Sequence, residues 1–279
     1  MASIVSSIGI LDINYSSISV LDKLSVDYPN EVIYYLNDFN GANFEEWNHR
    51  SIMEKVKEDT NILLSYNPKL IVVLGVEYIE YAKEFFLELN IPVVNIVDIV
   101  VDTLNQEYDK KNVALLIKST IHQANLFQRN INYGHFYQID DDDLEKIVIN
   151  NKVKTGISFD VTKKVLAELA HKSVDIIIGA NCNTSLLGVE VRQWLPKANL
   201  ACVASLVSKK IEGCLDVNEA VRLKGKGKVN IIADNEFDLN IANNLLECKY
   251  NIIPKYEIDN KKRDIKWESI YHLLKLVLF

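Results

Sequence analysis

Two short runs of continuous apolar, β-branched sequence constrain this chain more than any other feature. KLIVVLGV (69–76) follows Asn67-Pro68, and VDIIIGAN (174–181) lies in the later half of the chain. Neither run alternates polar with apolar, so each predicts a strand covered on both faces. Each is followed by a helical pattern, EYIEYAKEFFLEL (77–89) after the first and SLLGVEVRQWLP (185–196) after the second. A strand followed by a helix is the unit that returns the chain to a parallel neighbour, with helices covering the sheet.

The same order recurs along the chain. Strands are expected over 4–13, 31–36, 91–97, 112–117, 135–139, 200–205 and 229–234, with helices over 17–29, 45–66, 120–131, about 158–171 and 237–247. The pattern restarts near Asn112, and the two clean strands echo each other. The prediction is therefore an α/β chain of two similar Rossmann-like lobes with parallel sheets and a cleft between them. Residues 222–228, RLKGKGK, form a basic connection containing glycine.

Composition narrows the function classes. A length of 279 residues allows one large domain or two modest ones, and 48% hydrophobic with 25% charged residues is the balance of a folded protein. A net charge of -7 argues against a dominant nucleic-acid role, which needs clustered Lys and Arg. No apolar run approaches the ~20 residues that cross a bilayer. The opening MASIVSSIGILDIN has no basic stretch before its apolar run, so it does not read as an export signal. Cys182, Cys202, Cys214 and Cys248 form no CxxC pair and read as reduced thiols of a cytoplasmic protein. The acidic run Asp140 to Asp143 reads as a solvated loop or helix start rather than a metal site. The five His have no metal-ligand spacing, and His122 and His135 read as ordinary polar residues.

Ligands of open parallel sheets bind beyond the carboxyl ends of the strands. Those ends hold Asp12 to Asn14, Asn37 and Asp38, Gly75, Val76 and Glu77, and Asn181 to Thr184.

Taken in order, these strand ends resemble those of the glutamate racemases, in the aspartate/glutamate racemase superfamily, from about Ile8 to Leu246. The family opens with Gly-x-x-Asp-Ser-Gly-x-Gly-Gly-Leu-Ser-Val-Leu. Here GILDINYSSISVL (9–21) keeps Gly9, Asp12, Ser19, Val20 and Leu21, while Ile13, Asn14, Ser16 and Ser17 replace the family's Ser and glycines. PNEVIYYLND (29–38) matches the family's Pro-x-Glu-x-Ile-x-Tyr and Gly-Asp segment, but Ala42, Asn43 and Phe44 stand where it has Pro-Tyr-Gly. KVNIIADNEFDLNIANNLL (228–246) resembles its closing strand, turn and helix. The resemblance implies a first lobe of residues 1–98 plus 207–279 and a second of 99–206.

It also implies a chemistry. Family racemases use no cofactor. One thiolate removes the α-proton of glutamate and a second thiol returns a proton to the other face. The family's Val-Val-Ala-Cys-Asn-Thr corresponds to VVLGVE (72–77), and its Leu-Gly-Cys-Thr-His-Tyr-Pro-Leu-Leu to GANCNTSLL (179–187). The two cysteine positions therefore hold Gly75 and Asn181, and the histidine position holds Asn183. Gly75 carries no proton, and Asn181 has no group that titrates near neutral pH. Each positioned acid or base contributes roughly 10²–10⁴-fold, so this route should be lost. Cys182, Glu77 and Asp12 are the remaining catalytic candidates. Cys182 sits one place beyond the expected cysteine, Glu77 in the first turn after Gly75, and Asp12 is the family-type acid. The expectation is a non-catalytic racemase-fold protein with a binding or assembly role, and the alternative is an active divergent amino-acid racemase or isomerase. A small anionic ligand in the cleft is compatible with either.

The C-terminal WESIYHLLKLVLF (267–279) places Trp267, Ile270, Leu273, Leu274, Val277 and Leu278 on one stripe of a helix. The family's habit of dimerising and this stripe predict a homo-oligomer, with a protein or lipid contact as the other use.

Overall fold

The computed structural model describes residues 6–38, 49–118, 124–217, 220–233 and 236–255. The C-terminal stripe at 267–279, His122, and Ala42 to Phe44 lie outside them. Among the described residues ten strands form two parallel sheets. The first sheet runs β10-β9-β2-β1-β3-β4, from β1 (Ser7–Ile13), β2 (Val32–Asp38), β3 (Pro68–Val73), β4 (Val93–Asn95), β9 (Lys228–Ala233) and β10 (Tyr250–Pro254). The second runs β6-β5-β7-β8, from β5 (Val113–Ile117), β6 (Phe136–Asp140), β7 (Ile176–Gly179) and β8 (Asn199–Leu200). Every pairing is parallel. No described helix is long and apolar enough to cross a membrane.

Alternation along the second sheet sorts its side chains between two buried clusters. Val113, Leu115 and Ile117 of β5 and Ile176 and Ile178 of β7 belong to one core with the first sheet. Ala114, Leu116 and Ile177, one residue out of phase, face a separate cluster with Leu144, Ile147, Leu187 and Val191. Successive side chains of a strand point to opposite faces. One face of the second sheet thus joins a core that also holds Leu104, Phe127, Val207 and Ile211, and the other closes on a separate cluster.

Helices follow most strands: α1 (Val20–Asp27), α2 (His49–Leu64), α3 (Val76–Leu87), α4 (Ile96–Glu107), α5 (Ala124–Gln128), α6 (Asp142–Ile149), α7 (Gly156–Val165), α8 (Gly188–Trp194), α9 (Val203–Val217) and α10 (Glu236–Leu245). Three departures from expectation have physical causes. The strand expected over 91–97 ends at Asn95, whose side chain caps α4 by accepting from the Asp98 N–H at 2.8 Å. The strand expected over 200–205 shrinks to Asn199–Leu200, because Val203, Ala204, Val207, Ile211 and Leu215 follow helical spacing and are buried together along α9. The acidic run stands at the start of α6, as its helix-start reading expects, but it is not all solvated: Asp140 and Asp143 are exposed, and Asp141 is buried. Beyond that start the helix α6 was not anticipated, and neither was the edge strand β10.

Candidate functional site

The carboxyl ends of β1, β3, β5 and β7 converge, and the residues there are joined across the lobes. Asn14 and Tyr15 leave β1 with φ of 53° and 56°. The left-handed turn that glycine favours is therefore adopted here by an Asn and a Tyr. The Tyr15 N–H donates to Asn37 Oδ1 at 2.7 Å, tying the turn to the end of β2. Asp38 closes β2 in register with Ile13.

Asp12 lies beneath this turn and is fully buried. Its carboxylate accepts from Ser16 Oγ at 3.0 Å, from the Ser17 N–H at 2.8 Å and from the Tyr35 hydroxyl. Burial raises its pKa, against the lowering effect of these donors. Both oxygens are occupied, so the group orders the loop from inside the fold.

Four hydrogen bonds join this loop to the turn after β7. The Cys182 N–H donates to Ser17 Oγ at 3.0 Å, the Asn183 N–H to the Ser16 carbonyl at 3.2 Å, Asn183 Nδ2 to the Tyr15 carbonyl at 2.7 Å, and the Ser19 N–H to Asn183 Oδ1 at 3.1 Å. Asn183 thus clamps the two lobes together. Asn181 is equally engaged. Its Nδ2 donates to Asp141 Oδ2 at 3.1 Å, and its Oδ1 accepts from the Thr184 N–H at 3.0 Å and Thr184 Oγ1 at 2.9 Å. Cys182 belongs to the core shared by both lobes, and burial pushes its thiol pKa up.

At the other strand end, Gly75 caps α3 with φ -74° and ψ 115°, values open to any residue. The constraint there is space. A Cβ on Gly75 would lie 2.6 Å from Ile13 Cδ1, 2.7 Å from Ile13 Cγ1 and 3.0 Å from Tyr78 Cδ2. Val76 is buried beside it, and Glu77 is buried in the first turn of α3. Between the lobes a cavity of about 30 Å³ remains, lined by Ile13, Ser16, Glu77, Lys118, Asn181 and neighbouring apolar groups. That holds one or two waters.

Of three charged residues beside this cavity, Lys118 and Glu145 were not singled out from the sequence, and Asp141 figures there only as part of the acidic run. Lys118 follows β5 directly and pairs with Glu145 Oε2 at 2.7 Å. Burial works to lower the Lys118 pKa, but the charges of Glu145 and Glu77 outweigh it and the pKa is raised. Burial pushes Glu145 up to about 6. Burial and the neighbouring Glu145 charge push Asp141 up to about 8. Lys118 stands at a strand end, so the strand-end rule would have found it. Glu145 lies on the unanticipated part of α6. His135 is exposed and stacks on Tyr137, with ring centroids 6.2 Å apart.

Two parallel-stranded lobes facing each other across their strand ends define the aspartate/glutamate racemase fold, and this chain has it. No protein-family model and no curated protein matches its sequence. Among solved structures, it is similar to the glutamate racemase of Thermus thermophilus in complex with β-chloro-D-alanine, with TM-score 0.77 and 18% identity over 89% of this chain and 96% of that one. It is similar to a glutamate racemase isoform of Bacillus anthracis, with TM-score 0.77 and 16% identity over 89% and 97%. The aspartate racemase of Picrophilus torridus is more distant, with TM-score 0.55 and 16% identity over 78% and 100%.

Proposed function

We propose that this chain keeps the racemase fold without the racemase reaction and serves as a binding or assembly component. The observation that carries the reading is the Ile13 side chain, which stands where a side chain on Gly75 would have to go. Under the alignment given above, Gly75 is one proton-carrying position and Asn181 the other. Asn181 spends its Oδ1 on Thr184 and donates from Nδ2 to Asp141. The cavity left between them has the volume of a water or two rather than an amino acid. The lobe division at 98 and 206, the homo-oligomer, the cofactor-independence and the cytoplasmic location belong to this proposal.

A second reading, an active divergent racemase or isomerase, has one observation in its favour. Glu77 and Lys118 both line the cavity and would supply a base and an acid. Incubation with L-glutamate, D-glutamate and L-aspartate in deuterated water separates the readings. The proposal expects no loss of the α-proton signal beyond a protein-free control. Exchange that disappears in Glu77→Gln would establish the second reading, and exchange lost in Cys182→Ser would assign the thiol. Sedimentation velocity tests the oligomer.

A further inference from the structure

The basic connection before β9 is a built feature that the cleft does not use. Its base is held rigidly. The Gly227 N–H donates to the Pro29 carbonyl at 2.9 Å and the Lys228 N–H to the Glu31 carbonyl at 3.0 Å. The Arg222 N–H donates to Glu31 Oε1 at 2.8 Å, and Lys69 Nζ bridges Glu31 Oε1 and the Ala220 carbonyl, both at 2.6 Å. Glu31 is buried, so this acid faces inward and does not offset the charge of the tip.

The tip is turned outward. Asn30 Nδ2 donates to the Leu223 carbonyl at 3.2 Å, and the Arg222 Nε to the Lys224 carbonyl at 3.1 Å. Gly225 turns with φ 124°, beneath the folded-back Arg222 guanidinium. The result is a Leu223 side chain left 81% exposed, with Val221 partly exposed behind it. Lys224, Lys226 and Lys228 around it are exposed too. Because β9 runs parallel to β2, and β2 to β1, this loop lies at the opposite end of the sheet from the candidate site.

We infer that the 220–228 loop docks on an anionic lipid surface, with Leu223 entering the headgroup region and Lys224, Lys226 and Lys228 facing the lipid phosphates. A convex tip that carries an isolated leucine among lysines suits a deformable, negatively charged interface. The chain as a whole has a net charge of -7, so the attraction is local to this loop and acts within a screening length of about 8 Å. The sequence pairs the same two chemistries a second time: Lys261, Lys262, Arg263 and Lys266 precede the apolar stripe of 267–279. Docking by the loop leaves the cleft end of the first sheet facing away from the lipid.

The test is co-sedimentation of the full chain with vesicles of phosphatidylcholine alone and of phosphatidylcholine mixed with phosphatidylglycerol. Binding to the acidic vesicles only, weakened by added salt, is the expected result. Lys224→Glu combined with Lys226→Glu should weaken it roughly thirtyfold or more, from about 1 kcal/mol for each lysine removed. Leu223→Asp should weaken it as well, and both variants should melt as the parent does. No binding to the acidic vesicles overturns the inference and leaves an acidic protein surface as the partner chemistry. Binding undiminished in both loop variants also overturns it and moves the contact to 261–279. Equal binding to both vesicle types removes the role of the lysines.

Discussion

Gly75 and Asn181 stand two residues past the ends of β3 and β7, in matching places of the two sheets, and their surroundings differ in kind. Around Gly75 the close contacts are carbon atoms of Ile13 and Tyr78. Around Asn181 the partners are polar: Thr184 and Asp141, with Lys118 and Glu145 beyond. The first position is closed by volume, so its tolerance depends on what side chain stands opposite. The second is closed by complementary donors and acceptors, so removing one member leaves others unpaired in a dry site. The polar closure should therefore be the more brittle, and the only one sensitive to pH.

The largest effect is expected beneath the polar side. Asp12→Ala strands the Ser17 N–H and the Tyr35 hydroxyl and frees the loop that meets Asn183. Two buried donors left unpaired predict a loss of about 3–5 kcal/mol in urea unfolding. A loss under about 1 kcal/mol would mean that the loop is not held by this carboxylate.

The apolar side should respond to volume. Gly75→Cys forces its new atoms against Ile13 and should cost about 1–3 kcal/mol. In an Ile13→Ala background the same change should cost less by about 1 kcal/mol or more, a coupling that a double-mutant cycle reads directly. Additive costs would show that Ile13 does not seal the position.

The pH dependence belongs to Asp141 and, over a narrower window up to about 6, to Glu145, and runs against the usual acid case. The folded pKa of Asp141, about 8, lies well above the ordinary aspartate value of 3.8. The folded state therefore holds a proton that the unfolded state releases. Stability from this group is greatest below its unfolded pKa and declines as pH climbs through the window up to about 8. Asp141→Asn keeps an oxygen for Asn181 and removes the titration. Its melting temperature relative to the parent should rise between about pH 5 and about pH 9. A constant difference would mean that Asp141 is ionised throughout.

Most of the fold was legible, because buried parallel strands leave continuous runs that need no partner to be recognised. KLIVVLGV and VDIIIGAN show this. Elements whose pattern competes were misread: α4 and α9 open with β-branched residues, and only Asn95 as a cap and the longer spacing of Val203 to Leu215 mark them as helices. The candidate site was legible as a set of strand-end residues, and its state was not. That Asp12 is sealed, that Ile13 fills the space over Gly75, and that Asn183 bridges the lobes depend on distances between segments up to 168 residues apart. Cys182 reads chiefly as a small buried filler and is one, but it lies three residues past the end of β7 with helical backbone angles, where strand alternation cannot place it.

The smallest effect is expected at Cys182, and it separates the two sides most cleanly. The residue lies on the polar turn, yet the hydrogen bond it makes to Ser17 Oγ comes from its backbone. Cys182→Ala keeps that bond and removes the sulfur together with its weak hydrogen bond to the Ser17 side chain, so it should cost about 1 kcal/mol. The native thiol should also be inert. It is fully buried and its pKa is pushed up by that burial, whereas Cys202 is exposed. A thiol reagent applied to the folded chain should modify Cys202 and leave Cys182 untouched until denaturant is added. Modification of Cys182 at the rate of Cys202 would show that the turn after β7 opens in the native state. The clamp through Asn183 would then be a transient contact, and a thiol within reach of the cleft would return Cys182 to the set of candidate bases.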